Sequence, residues 1–136
     1  MANLAGFLKP AYTEKTATYT NISDRFIDEE GKPLAFILKT LPHSKMKSIA
    51  NRSRKQKGKN EGEIDQSLFI SRCIVEACVQ PDFKDRDLCL AYDTEDPYEL
   101  PEKMLLSAEY EKLANAFLEL NGSNGEALDV MSVTKN

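Results

Sequence analysis

The chain has 136 residues, 29% of them charged, and a net charge of −4 at pH 7. Without a break in composition, that length makes one domain, which buries roughly two thirds of the surface its unfolded form exposes and folds without staples. No stretch reaches the ~18 consecutive apolar residues of a membrane span, and Met1 to Phe7 lacks the basic region and long apolar run of a secretory signal, so no membrane role is expected and the cytoplasm is the expected compartment.

Charge is distributed unevenly: residues 1–60 carry 12 Lys+Arg against 5 Asp+Glu and residues 61–136 carry 6 against 17, giving +7 and −11. Opposite fields at the two ends of a chain steer a partner or favour self-association. Cys73, Cys78 and Cys89 are odd in number and set among apolar residues, which suits reduced, buried thiols better than a disulfide framework.

Residues 1–21 show no sustained period of two or 3.6 and read as a flexible N-terminal arm, with one short turn around Leu4 to Leu8. A single α+β domain is expected over 22–122. It opens with a β-hairpin at residues 25–41, in which Gly31 supplies a positive φ to an acidic turn between two apolar runs. In the second strand Leu34, Phe36 and Leu38 form an apolar face, alternating with Ala35, Ile37 and Lys39. Pro42 ends the strand, Ser44 is the expected N-cap, and Met46, Ile49 and Ala50 define a first helix over about 44–57 with a strongly basic outer face.

After a polar loop from Gly58 to Gly62, Asp65 to Val79 reads as a second helix whose apolar residues spread around most of the circumference, the mark of the most buried helix. Pro81 stops it. Leu88 to Tyr92 is an apolar patch within an acidic segment and reads as a short helix or turn. Pro101 suits the first turn of a helix reaching about Leu106, and Ser107 caps a last helix in which Tyr110, Leu113, Ala114, Phe117 and Leu120 share one face before Gly122 ends it. Residues 123–136, rich in Ser, Asn, Gly and Thr, read as a flexible C-terminal tail. The fold class is therefore α+β and mostly α: an N-terminal hairpin followed by a bundle of four to five helices, with flexible termini. Its expected core is Phe26, Leu34, Phe36, Leu38, Ile49, Leu68, Val75, Leu113 and Phe117.

No catalytic constellation emerges. The one histidine, His43, lies at the strand-to-helix junction, where a surface or capping role fits better than a base beside a nucleophile. The cysteines are five and eleven residues apart, unlike the close ligand pairs of zinc sites. The acidic run Asp93 to Glu99 lacks the glycine and distal glutamate of a calcium loop, and Gly58 to Gly62 lacks the Gly-Lys-Ser/Thr group of a phosphate loop. The basic cluster Lys45, Lys47, Arg52, Arg54, Lys55, Lys57 and Lys59 is the feature closest to a nucleic-acid site. No aromatic residue is interleaved with it to stack a base, so a solvated helix face or a protein-binding surface suits it better.

The order of features, namely Arg25-Phe26-Ile27-Asp28-Glu29-Glu30-Gly31-Lys32-Pro33, an apolar strand, a helix, Val79-Gln80-Pro81-Asp82-Phe83, and the run from Pro101 to Ala114, resembles the XkdN-like phage tail assembly chaperones of phages and prophages of Gram-positive bacteria. The resemblance spans about Phe7 to Gly122 and carries no catalytic motif. It implies a non-catalytic protein without cofactor or small-molecule substrate. Its expected partners are the tape measure protein, whose aggregation it prevents, and the tail tube protein, which it helps to polymerise. It also implies residence in the host cytoplasm and absence from the mature virion. A tape measure is a long amphipathic helix whose apolar stripe aggregates unless covered. The expected partner surface is Ile37 and Leu41 together with Lys47, Arg54 and Lys55, where apolar and cationic surfaces adjoin across Pro42. The alternatives are a small nucleic-acid-binding regulator using the basic helix 44–59 and a structural tail component.

Overall fold

The structure, a computed structural model, describes residues 15–122 together with Leu4 and Phe7. The expected tail at 123–136, most of the N-terminal arm and most of the turn at 4–8 lie outside the described residues. Three strands, β1 (Thr16–Tyr19), β2 (Phe36–Lys39) and β3 (Cys78–Gln80), form an antiparallel sheet in the order β1-β2-β3. Within residues 15–122 the helices are α1 (His43–Arg52), α2 (Gln66–Ala77), α3 (Arg86–Ala91), α4 (Leu100–Met104) and α5 (Ser107–Leu120), with a 3-10 turn at Pro97–Glu99 before α4. The expected class, a small N-terminal β-unit followed by about five helices, is the one observed.

The pairing of the strands differs from the expected hairpin. Gly31 does adopt a positive φ of 82°, and the turn it allows is closed by the Ile27–Pro33 bridge and by the Leu34 N–H donating to the Phe26 carbonyl at 2.6 Å. That ladder goes no further. The central strand β2 instead pairs Thr16 with Lys39 through Tyr19 with Phe36 on one side, and Ile37 with Gln80 and Leu38 with Cys78 on the other. A strand thus lies inside the segment read as a flexible arm. The two residues past Ala77, expected to prolong the second helix, are strand as well. Both departures have one cause: β2 has two edges whose N–H and C=O groups need partners, and distant segments supply them.

Helix boundaries follow capping chemistry. The Asp65 carboxylate accepts from the Leu68 N–H at 3.1 Å to start α2, and Asp85 does the same for Leu88 at 3.0 Å to start α3. Helix α1 begins directly after Pro42, so Ser44 lies inside the first turn rather than capping it. It ends at Arg52, five residues before the expected stop, because Ser53, fully buried, turns its hydroxyl back to the Ile49 carbonyl at 2.7 Å. The cap of α5 is likewise not the Ser107 hydroxyl: the Leu106 N–H donates to the Glu109 carboxylate at 2.9 Å.

The core gathers Phe36 and Leu38 from β2, Ile49 from α1, Phe69, Cys73 and Ile74 from α2, Leu100 from α4, and Leu113 and Phe117 from α5, with Ile22 and Phe83 from the connections. Of the expected core, Phe36, Leu38, Ile49, Val75, Leu113 and Phe117 are buried, and Phe26 and Leu68 are half-buried. Leu34 is 42% exposed, which corrects its expected place in the core. It precedes the sheet, so the alternation that buries Phe36 and Leu38 does not extend to it.

Two carboxylates tie the layers together. Glu109 on α5 accepts from the Ser23 hydroxyl and from the Arg25 guanidinium, through Nη2 and through Nε at 2.9 Å, while Arg25 also donates to the Met104 carbonyl at 3.0 Å. Glu76 on α2 accepts from the Tyr98 hydroxyl at 2.6 Å and pairs with Lys84 at 2.9 Å and Lys45 at 3.3 Å. Burial opposes ionisation of Glu76, but the hydrogen bonds from Tyr98 and Lys84 and the lysine charges outweigh it and lower its carboxyl to about 2. The Arg25 hydrogen bond, aided by Ser23 and the Leu106 N–H, lowers Glu109 to about 2 against the effect of burial.

Two outcomes follow from this packing. Leu38→Ala, at a fully buried site, costs about 2–5 kcal/mol in chemical denaturation, while Leu34→Ala stays within about 1 kcal/mol. A carboxylate whose folded pKa is depressed contributes stability above its unfolded pKa and loses it as pH falls towards the folded one. The stability of the wild type therefore declines between its ordinary 4.5 and about 2, and Glu76→Gln and Glu109→Gln each flatten that decline in denaturation curves recorded across pH 2–5.

Candidate protein-interaction surface

Residues 40–41 form a fixed corner from which the expected partner surface is built. The Thr40 N–H donates to the Lys15 carbonyl at 2.9 Å, the Lys15 N–H donates to Thr40 Oγ1 at 3.1 Å, and the Leu41 N–H donates to Asn121 Oδ1 at 2.8 Å. The start of β1 and the end of α5 therefore meet at the start of α1. Ile37 is half-buried, out of step with the buried faces of Phe36 and Leu38. Leu41 is half-buried and packs against the core. The structure thus separates the two apolar residues of the expected surface by role: Leu41 supports the corner, and Ile37 belongs to the opposite sheet face.

Lys47 is exposed on α1. Arg54 and Lys55 follow the helix at the neck of a folded-back loop, here called the tongue, that spans 54–64. Its limbs are joined by the Arg54–Ile64 bridge, by the Lys55 N–H donating to the Glu63 carbonyl at 2.8 Å, and by the Gly62 N–H donating to the Lys55 carbonyl at 2.9 Å. The Arg54 guanidinium donates to the Gly62 carbonyl at 2.8 Å, and Gly62 has a φ of 90°, which a side chain would strain. Below the neck, the Asp65 N–H donates to the Ser53 carbonyl at 2.7 Å. Arg54 therefore has an internal duty that its place in a basic run does not reveal.

Other apolar side chains stand exposed near the sheet. Val79 is the extra residue of a β-bulge facing Ile37 and Leu38 and is 49% exposed, and Ile27, bridged to Pro33 across the 28–32 turn, is 55% exposed. Val79 was hidden in an apolar run that reads as helix, and Ile27 and Leu34 in runs that read as strand. Alternation about Phe36 is the one signal that sets Leu34 apart from Ile37, and it points the wrong way.

The chemistry of the remaining candidates is subdued. Burial pushes the thiols of Cys73 and Cys78 up to about 12 and also raises that of Cys89, and a protonated thiol is a weak nucleophile. His43 is exposed in the first turn of α1. Among the described residues, no group of three or more His, Cys, Asp or Glu side chains is placed to hold a metal ion, and no helix is long and apolar enough to cross a membrane.

Comparison with known proteins agrees with this picture of a small helical domain. Residues 4–133 match the family model of the phage XkdN-like tail assembly chaperone protein. The chain is 33% identical over 136 residues to YqbN of Bacillus subtilis (strain 168), covering 96% of this chain and 91% of YqbN. It is 30% identical over 139 residues to the phage-like element PBSX protein XkdN of the same strain, covering 98% and 94% of the two chains. The crystal structure of the protein YqbN superposes with a TM-score of 0.77 at 31% identity, covering 90% of this chain and 98% of that one. The chain belongs to the XkdN-like family of phage tail assembly chaperones.

Proposed function

We propose that this chain binds the tape measure protein of its phage during tail assembly and promotes polymerisation of the tail tube around it. It works in the host cytoplasm without catalysis, cofactor or small-molecule substrate, and leaves before the virion is complete. The observation that carries this reading is membership of the tail assembly chaperone family over residues 4–133. The surface supports it. Exposed or half-buried apolar side chains at Ile37 and Val79 lie on the sheet that leads through Leu41 into α1, whose outer face carries Lys47, and then into Arg54 and Lys55. Accessible apolar side chains on the sheet, followed in the chain by cations on and after α1, suit an amphipathic helix that presents its apolar stripe with carboxylates alongside.

Co-expression with the tape measure protein tests the reading. The wild-type chain keeps the tape measure soluble and co-purifies with it, and purified virions lack the chain. Ile37→Asp and the pair Lys47→Glu with Lys55→Glu each reduce recovery of the tape measure about tenfold. The lysines are chosen over Arg54 because Arg54 also holds the tongue closed. A tape measure that precipitates equally with and without the chain refutes the proposal, and the chain's presence in virions identifies a structural tail component instead.

A further inference from the structure

The tongue carries more charge than the proposed function uses. Its outgoing limb presents Lys55, Lys57 and Lys59, with Lys57 and Lys59 exposed, and its returning limb carries Glu61 and Glu63. Among the described residues, no carboxylate pairs with Lys47, Lys55, Lys57 or Lys59, whereas Lys45 is neutralised by Glu76. The bonds across the neck fix the base of the loop that carries these lysines, and less ordering entropy is lost when it binds.

The root of the tongue adjoins the acidic part of the chain. Arg72 Nη1 donates to the Arg52 carbonyl at 3.0 Å, and the Arg72 guanidinium lies 5.3 Å from the centre of the Tyr98 ring. Tyr98 belongs to the run in which Asp93, Glu95, Asp96 and Glu99 fall. The cationic limb therefore runs beside its own acidic return limb, and its root is linked through Arg72 to the segment that carries these four carboxylates. An extended nucleic-acid backbone has uniform negative charge and meets repulsion as soon as it overruns the cationic limb. A short protein segment whose carboxylates are confined to a few positions does not.

We infer that the tongue 54–64 is a docking prong for a short acidic protein segment of a tail-assembly partner, recognised through Lys55, Lys57 and Lys59. This rests on the reading of the chain as a chaperone that grips protein partners, and it adds a second contact, one that Ile37 does not supply. Because the attraction is between exposed charges, it is screened over about 8 Å at physiological salt and acts on capture more than on retention.

The test uses the full-length chain and two labelled helical peptides, one with four Glu at i, i+4 spacing and the other with Gln in their place, alongside a single-stranded 20-nucleotide DNA. Fluorescence anisotropy is expected to show that the Glu peptide binds at least tenfold more tightly than the Gln peptide or the DNA, and that added salt weakens it. Lys57→Glu with Lys59→Glu abolishes that binding without moving the thermal midpoint, since neither side chain has a partner among the described residues. In the tape measure co-expression, the same pair slows capture or lowers recovery. Equal binding of the Glu and Gln peptides, stronger binding of the DNA, or an unchanged affinity in the double variant overturns the prong. A salt-sensitive dimer lost in the double variant also overturns it, by showing that a second copy occupies the tongue. A tape measure still captured by a variant that no longer binds the Glu peptide leaves the chaperone reading standing. A tape measure that the wild type never captures removes that reading while the peptide result stands alone.

Discussion

Helix α2 has no face suited to water, and the rest of the molecule is arranged around that constraint. Phe69, Ser71, Cys73, Ile74, Val75 and Ala77 are buried, and the positions between them are half-buried. A helix that is apolar over most of its circumference has to be covered from several directions. Helices α1, α4 and α5 and the 3-10 turn all pack on it, and the chain passes straight from its last residue into β3. Its polar side chains are drawn into the same packing. Ser71 lies 2.7 Å from the Tyr110 hydroxyl, and Glu76 collects Tyr98, Lys45 and Lys84 from three separate segments.

The covering elements in turn carry the proposed interaction surface. Helix α1 buries Ile49 against the core and leaves Lys47 exposed, and the tongue that follows is pinned where Ser53 and Asp65 meet below its neck. The sheet does the same on the other side: β2 buries Phe36 and Leu38, which leaves Ile37 facing away from the core with Val79 exposed on the adjoining bulge. Under the proposed function, this arrangement would let the surface grip a partner through a modest area while the fold beneath it stays unchanged.

Family membership and surface chemistry bear on different levels of the function. The match over residues 4–133 establishes a role in tail assembly, and the bipolar distribution of charge speaks to the kind of surface that is recognised. Clustered lysines alone would suit nucleic acid or protein equally. Glutamates on the return limb and an acidic run beside Tyr98 favour the partner with interrupted charge.

Local sequence determined the helices, the buried character of α2 and the absence of a nucleotide or zinc motif, because capping residues, 3.6-residue periodicity and ligand spacing act within a turn or two of the chain. Asp65, the run from Leu68 to Ala77 and the stripe Tyr110, Leu113, Phe117 are legible on those grounds. The resemblance to the tail assembly chaperones was legible too, since it rests on the order of such local features. Only the tertiary structure decided that Thr16–Tyr19 and Cys78–Gln80 are strands, that Leu34 lies outside the core, and that Arg54 closes a loop. The reason is shared: a strand's identity lies in the hydrogen-bonding partner it finds, and here those partners stand about twenty and forty residues from β2, beyond the reach of any pattern in the strand itself.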